Sequence, residues 1–346
     1  MRNFYLFSAL LLLSCGRSSI IDSVAVKYEV PEKVVSLDAD PTFSGDFHEV
    51  LNCLNLQIIN DTILIIQDQV NETNTAHFKA YSTKSFDFLG ALMHNGRGED
   101  EVLAPSIVKV VSSEDNLYLK TASSPNAYRL DILNSLTSRH AMIAEEFALP
   151  PNRVDWIPLR DSVHFIMNYE NREFVFHAVD NKGITTGTFN LFEGIDADRN
   201  ATHLSLFLVS GNASGKVAIP MIFSPVLCML DTDSGEVYTI AVDKEYRKWE
   251  SVINRPLNLN TIQYYTGAAA SEDCIFAAYR ELPLGKLHKT GYGSSIHVFD
   301  WDGKFIYDIK VKENIEQMTF DSRTGCLYCI EKADGIVIRY DMSGLI

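Results

Sequence analysis

Val226-Leu-Cys-Met-Leu230-Asp231-Thr-Asp-Ser-Gly235 is an apolar run that stops on an aspartate and turns on a glycine. Aspartate suits the first place because its side chain caps turn amides. Glycine suits the last because it accepts the positive φ of a tight hairpin. The pattern recurs six times, ending at Tyr81-Ser82, Leu130-Asp131, Val179-Asp180, Leu230-Asp231, Phe299-Asp300 and Tyr340-Asp341, and four copies reach a glycine at Gly183, Gly235, Gly303 or Gly344. The intervals are 49, 49, 51, 69 and 41 residues. Periods of 40 to 50 residues with several short strands each are the signature of a β-propeller, whose blades must stack on neighbours to bury their faces.

Working outward, Thr62-Ile-Leu-Ile-Ile66, Ser162-Val-His-Phe-Ile-Met167 and Cys274-Ile-Phe-Ala-Ala-Tyr279 read as strands between polar turns. The sequence therefore predicts an all-β, six-bladed propeller over residues 24–346. Its blades fall near 46–100, 101–150, 151–200, 201–250, 251–312 and 313–346. The last blade is short, and the strands Val24-Ala-Val-Lys-Tyr28 and Val34-Val-Ser-Leu37 precede the first repeat. One of them is expected to supply the outer strand of the last blade and so close the ring.

The N-terminus carries an address. Arg2, an apolar stretch from Phe4 to Leu13, and Leu12-Leu13-Ser14-Cys15-Gly16 make a leader too short to span a bilayer. The cysteine after Leu-Leu-Ser resembles the bacterial lipobox, which implies a signal peptide over 1–14, lipidation of Cys15 and a tether over 15–23. Membrane attachment is then through the N-terminal lipid, and several acyl chains on one residue hold far more firmly than one. Gly16 in place of an aspartate favours the outer membrane, with the domain facing the periplasm.

The formal net charge is −15, and loss of Arg2 with the leader makes the mature chain one charge more acidic. That balance argues against nucleic acid as a partner. Apolar residues are 46% of the chain, enough for a large core. The five cysteines after Cys15 are odd in number and irregularly spaced, so they form no disulfide framework. Cys326-Leu-Tyr-Cys329 has CxxC spacing but reads as a strand, where positions three apart face opposite ways. Buried structural thiols are expected there.

With the repeats and the lipobox in hand, His94-Asn-Gly96-Arg97-Gly98-Glu-Asp-Glu101-Val102 after the first blade adds a third feature. Together they resemble the TolB-like six-bladed propeller lipoproteins, which tend to carry Gly-x-Gly-Pro-Gly-Glu-Phe here. Gly96, Gly98 and Glu101 match; Glu99, Asp100 and Val102 depart from the pattern. The resemblance implies the fold and supplies no common activity.

No nucleophile elbow, phosphate loop, metal-binding helix or calcium loop occurs, and the sequence calls for no cofactor or metal. The first strands of the blades offer Gln57, Asp155, His203, Gln263 and Glu316, the only basis for an alternative reading as a hydrolase or lyase working in the central channel. The long interval before Asp300 holds two insertions, one near 243–254 and one over 281–294. In an up-and-down blade, interblade loops and second-to-third loops leave on one face. Arg97, Arg247, Lys248, Trp249, Lys286, His288, Lys289 and Tyr292 are thus the candidate recognition face, since arginine and aromatics concentrate at hot spots and loops carry function. The expected role is non-catalytic binding or scaffolding toward an unknown protein, peptide or glycan.

Overall fold

At the repeat positions the turn chemistry works as the residue types require. Asp180, Asp231 and Asp300 each use Oδ1 to accept backbone N–H groups two to four residues on, at 2.8 to 3.0 Å. Gly183, Gly235 and Gly303 follow at φ of 79°, 75° and 81°. Asp341 accepts from Ser343 N in the same way, but Gly344 is not among the positive-φ glycines. Asp131 departs further: its carboxylate accepts from Asn134 N and starts a helix where a hairpin was expected.

Every repeat ends the third strand of a blade. The computed structural model describes residues 26–346 apart from 44, 46, 73, 99–100, 113, 122–125, 151, 161–162, 193–194, 201, 203, 211–214, 245, 247–255 and 288–290. Two strands, β1 (Val26–Tyr28) and β2 (Lys33–Ser36), come before the ring. Blade one is β3 (Cys53–Ile59), β4 (Ile63–Asp68), β5 (Ala76–Ser82) and β6 (Phe88–Asn95), with β7 (Glu101–Val102) parallel to β6. Blade two is β8 (Pro105–Val108), β9 (Asn116–Thr121), β10 (Asn126–Asp131) and β11 (Ile143–Ala148), with α1 (Ile132–Ser138) before its last strand. Blade three is β12 (Arg153–Arg160), β13 (Val163–Glu170), β14 (Glu173–Asp180) and β15 (Thr185–Phe189). After α2 (Ala197–Asn200), blade four is β16 (Val209–Ser210), β17 (Lys216–Pro220), β18 (Val226–Asp231) and β19 (Val237–Ala241). Blade five is β20 (Ile262–Ala270), β21 (Cys274–Pro283), β22 (Ser294–Asp300) and β23 (Phe305–Val311); blade six is β24 (Ile315–Asp321), β25 (Cys326–Glu331) and β26 (Val337–Asp341).

The core lies between blades, which is why middle strands such as β4 are buried on both faces. Ile59, Ile65 and Phe78 meet Ile107, Leu117 and Leu119 between blades one and two. Ala218, Leu227 and Ile240 meet Ile275, Phe299 and Phe305 between blades four and five. Each such side chain contributes ~1.5–3 kcal/mol through burial, so the ring holds only when neighbours are present.

The expected closure is corrected. β1 pairs parallel with β19 of blade four, Val26 opposite Thr239, and β2 pairs parallel with β23 of blade five, Lys33 opposite Tyr307. Neither reaches blade six, which has three strands among the described residues. Its outer edge is instead covered by residues 40–43, 45 and 47. Asp40 N donates to Arg339 O at 2.8 Å, and the Gly45 backbone lies so close to Val337 O that a Cβ would sit 1.8 Å away. Pro41 has no N–H, and Thr42 turns its N–H and hydroxyl back onto Asp40, so this stretch cannot run as a ladder. Phe43 and Phe47 pin it down against Phe86, Tyr328 and Tyr81. The N-terminal segment is thus a belt over the rims of blades four, five and six, held by Glu32–Lys304, Asp38–Lys312 and Asp40–Arg339 pairs.

Candidate functional site

The turn at Gly96 shows what its glycines are for. Glu101 folds back so that Oε2 accepts the backbone N–H of both Arg97 and Gly98, each at 2.7 Å. A Cβ on residue 96 would lie 2.0 Å from that oxygen. Glycine, glycine and glutamate are one device: two amides make a nest for a carboxylate from the same turn. The nest is filled by its own chain, and the turn passes the chain from blade one to blade two.

Strand alternation sets the interblade connections and the second-to-third loops at the same end of the ring. Arg97 is exposed there on the first connection. Lys286 is exposed on a 3-10 turn, Leu284–Lys286, and Tyr292 is half-buried just before β22. Arg247, Lys248, Trp249, His288 and Lys289 lie outside the described residues, as does Cys15. Beside the blade-five loop is a recess of 660 Å³, where Tyr292 and Leu287 meet Lys312, Lys332, Asn314 and Ile336. Sequence reading missed Lys312 and Lys332. They stand on the connection after blade five and on the β25–β26 turn, with no motif around them.

These features sit on a ring whose sequence matches the TolB-like 6-blade propeller-like family over residues 53–323. The chain belongs to that family. No curated protein matches the sequence. Among solved structures, this TolB-like chain is similar to a member of the DUF4221 family from Bacteroides vulgatus, at 10% identity and a TM-score of 0.58, covering 90% of this chain and 96% of the other. It is also similar to a Bacteroides fragilis protein whose name assigns it to export, at 12% identity and a TM-score of 0.52, covering 91% and 98%. At such identities the likeness is one of fold.

The hub of this TolB-like ring uses its polar groups internally. Gln57, fully buried, donates to Val110 O at 2.9 Å and joins blades one and two. Asp155 pairs with Lys120, Glu316 with Lys332, and Gln263 Oε1 accepts from Arg280 at 2.6 Å. His203 lies outside the described residues. The four described candidates have separate partners and do not converge. Lys109, which sequence reading passed over, reaches from blade two to the carbonyls of Leu56 and Met318, on the first strands of blades one and six. Removal from bulk water pushes its amine down to about 7. Among the described residues, no three His, Cys, Asp or Glu side chains gather to hold a metal.

The CxxC pair also behaves as strand geometry dictates. Cys326 packs against the layer between blades six and one, and Cys329 is buried in the layer between blades five and six. Burial raises both thiols, Cys329 the more strongly. The five described cysteines are unpaired.

Proposed function

We propose that this TolB-like propeller is a lipid-anchored, non-catalytic binding or scaffolding module of a bacterial envelope, held at the outer membrane through Cys15. In this reading it recognises a protein, peptide or glycan with the end of the ring that carries the interblade connections and the long blade-five loop. The observation that carries the reading is the recess between blades five and six. There Leu287 and Tyr292 of the loop insertion border a recess of mixed charge, in which Lys312 and Lys332, paired with Asp38 and Glu316, stand among Glu313, Glu331 and Asp334. The internal pairing of Gln57, Asp155, Gln263 and Glu316 supports binding over channel chemistry, because each of these groups is already satisfied. The lipobox and the export-assigned neighbour of the same fold support the envelope address.

Two measurements test this. Cys15→Ala is expected to abolish acyl labelling and leave the precursor unprocessed; normal maturation with labelling retained would refute the anchor. A pull-down from native envelope with the anchor intact should recover a partner whose capture weakens in an Arg97→Ala, Lys286→Ala, Tyr292→Ala triple variant of unchanged melting temperature. Capture at wild-type strength would move recognition away from this end of the ring.

A further inference from the structure

Blades two and three share a core in which Tyr118 and Phe147 pack on Trp156. The first strands of the other neighbouring blades pack on one another at the hub, whereas β8 and β12 do so least. Toward the rim this junction opens into a cleft of 350 Å³. One wall is the end of β11 with Leu149 and Pro150; the other is the face of β13 and β14. His164, Ile166, Asn168 and Glu170 alternate along β13 and therefore share that face. His177 stands opposite Ile166 across the ladder, and Phe147 stacks on His164 with centroids 4.6 Å apart.

Two carboxylates, Glu170 and Asp180, lie among the polar groups of this cleft. His177 Nε2 lies 2.8 Å from Glu170 Oε1, and Asn168 Nδ2 donates to the same oxygen at 3.1 Å. Asn168 Oδ1, closed off from solvent, has no donor, and the residue is only 5% exposed. His164 Nδ1 has no partner either. Burial alone would raise the Glu170 pKa, but the bonds from His177 and Asn168 outweigh it and keep the carboxyl below its ordinary range. Burial lowers the pKa of His164, with Glu145 opposing it. Asp180, whose Oδ1 accepts from Lys182 N and Ile184 N, stands at the other end, and among the described residues no lysine or arginine lines the cleft.

We propose that this cleft binds a cationic group, an alkylammonium or guanidinium, with its head at Glu170 and Asn168 and its stem along Phe147, Leu149 and Ile166. Such a head supplies several donors and the missing charge at once, which an anion cannot do beside two carboxylates. The head comes either from a free diamine or from a lysine or arginine side chain of a partner protein. This site is distant in the chain from the blade-five recess, so its failure would leave the preceding reading standing.

The mature chain is titrated by calorimetry at neutral pH and low salt with three probes: cadaverine, N-acetyl-lysine methylamide and N-acetyl-arginine methylamide. One-to-one saturable binding is expected, weakened ~10-fold or more in Glu170→Gln through loss of a charge-assisted contact. The exposed control Glu72→Gln should bind as the wild type does. Thr185→Lys, at the exposed rim, puts a tethered cation at the mouth without touching the buried network and should compete in the same way, so the test survives if Glu170→Gln folds poorly. Preference for cadaverine identifies a free amine, and preference for an amide identifies a protein side chain. Absence of saturable binding by all three probes, or binding that neither variant weakens, overturns the proposal.

Discussion

Removing residues 16–38 takes β1 and β2 away while leaving the cover of blade six in place. The ladder bonds of these strands roughly offset the cost of ordering their own backbone. What remains is the apolar contribution of Val26 against the core of blades three and four, and of Val35 and Leu37 against that of blades five and six. At ~1 kcal/mol for each half-buried side chain, the loss is about 3 kcal/mol. A chain of this length unfolds with an entropy of roughly 0.7 kcal/mol/K, so the melting temperature should fall by about 4–5 °C. Calorimetry measures that fall, and hydrogen exchange locates it. Exchange should rise in 237–241 and 305–311, whose outer edges are uncovered, and stay low in 337–341 beneath Phe43 and Phe47. An unchanged melt, or faster exchange confined to 337–341, would refute the belt and restore closure through the last blade.

Two further perturbations probe single sites. Gly96→Ala should displace the Glu101 carboxylate from its two amides and cost ~1–2 kcal/mol by urea denaturation; Glu101→Ala should cost a similar amount, and the double variant little more, because both break one nest. His297 is buried against Tyr279, and burial pushes its pKa down to about 3, only partly opposed by Asp308. The unfolded chain takes up this proton near pH 6.5 while the native ring refuses it until about pH 3. Stability should therefore fall with acidification across that window, by up to ~1.4 kcal/mol per pH unit for this one group. His297→Phe keeps the ring stack and should flatten the dependence of the urea midpoint between pH 7 and pH 5; an unaltered slope would show that other groups set it.

What was readable from sequence is what is decided locally. An aspartate before a glycine fixes a turn within five residues, so the third strands of the blades stand out at Asp180, Asp231 and Asp300. The Gly96–Glu101 turn was readable as a turn for the same reason, although its carboxylate nest was not. Distant pairing left no such mark. β1 and β2 are three and four residues long, and their partners are chosen by which sheet edges lie open, 4–5 blades away in the chain. Asp131 carries the same residue type as four of the other five repeats, yet the sequence after it, Ile132-Leu-Asn-Ser, supports a helical turn. Lys109 was invisible because its acceptors are backbone carbonyls, which any residue type supplies. The cleft between blades two and three is walled by both blades, a property of neither alone.

The belt also orders events in time. Val26 waits for Thr239 and Lys33 for Tyr307, so β1 and β2 cannot be satisfied until most of the chain after them exists. Contacts of such long separation form late, because the intervening loop must already be closed. The blades can stack one after another as they emerge, but the rims of blades four and five keep bare edges until the N-terminal segment comes round. A chain halted before residue 305 would hold β2 without its partner. Completion of blade five is then the event that lets β2 dock, before the strands of blade six have been added.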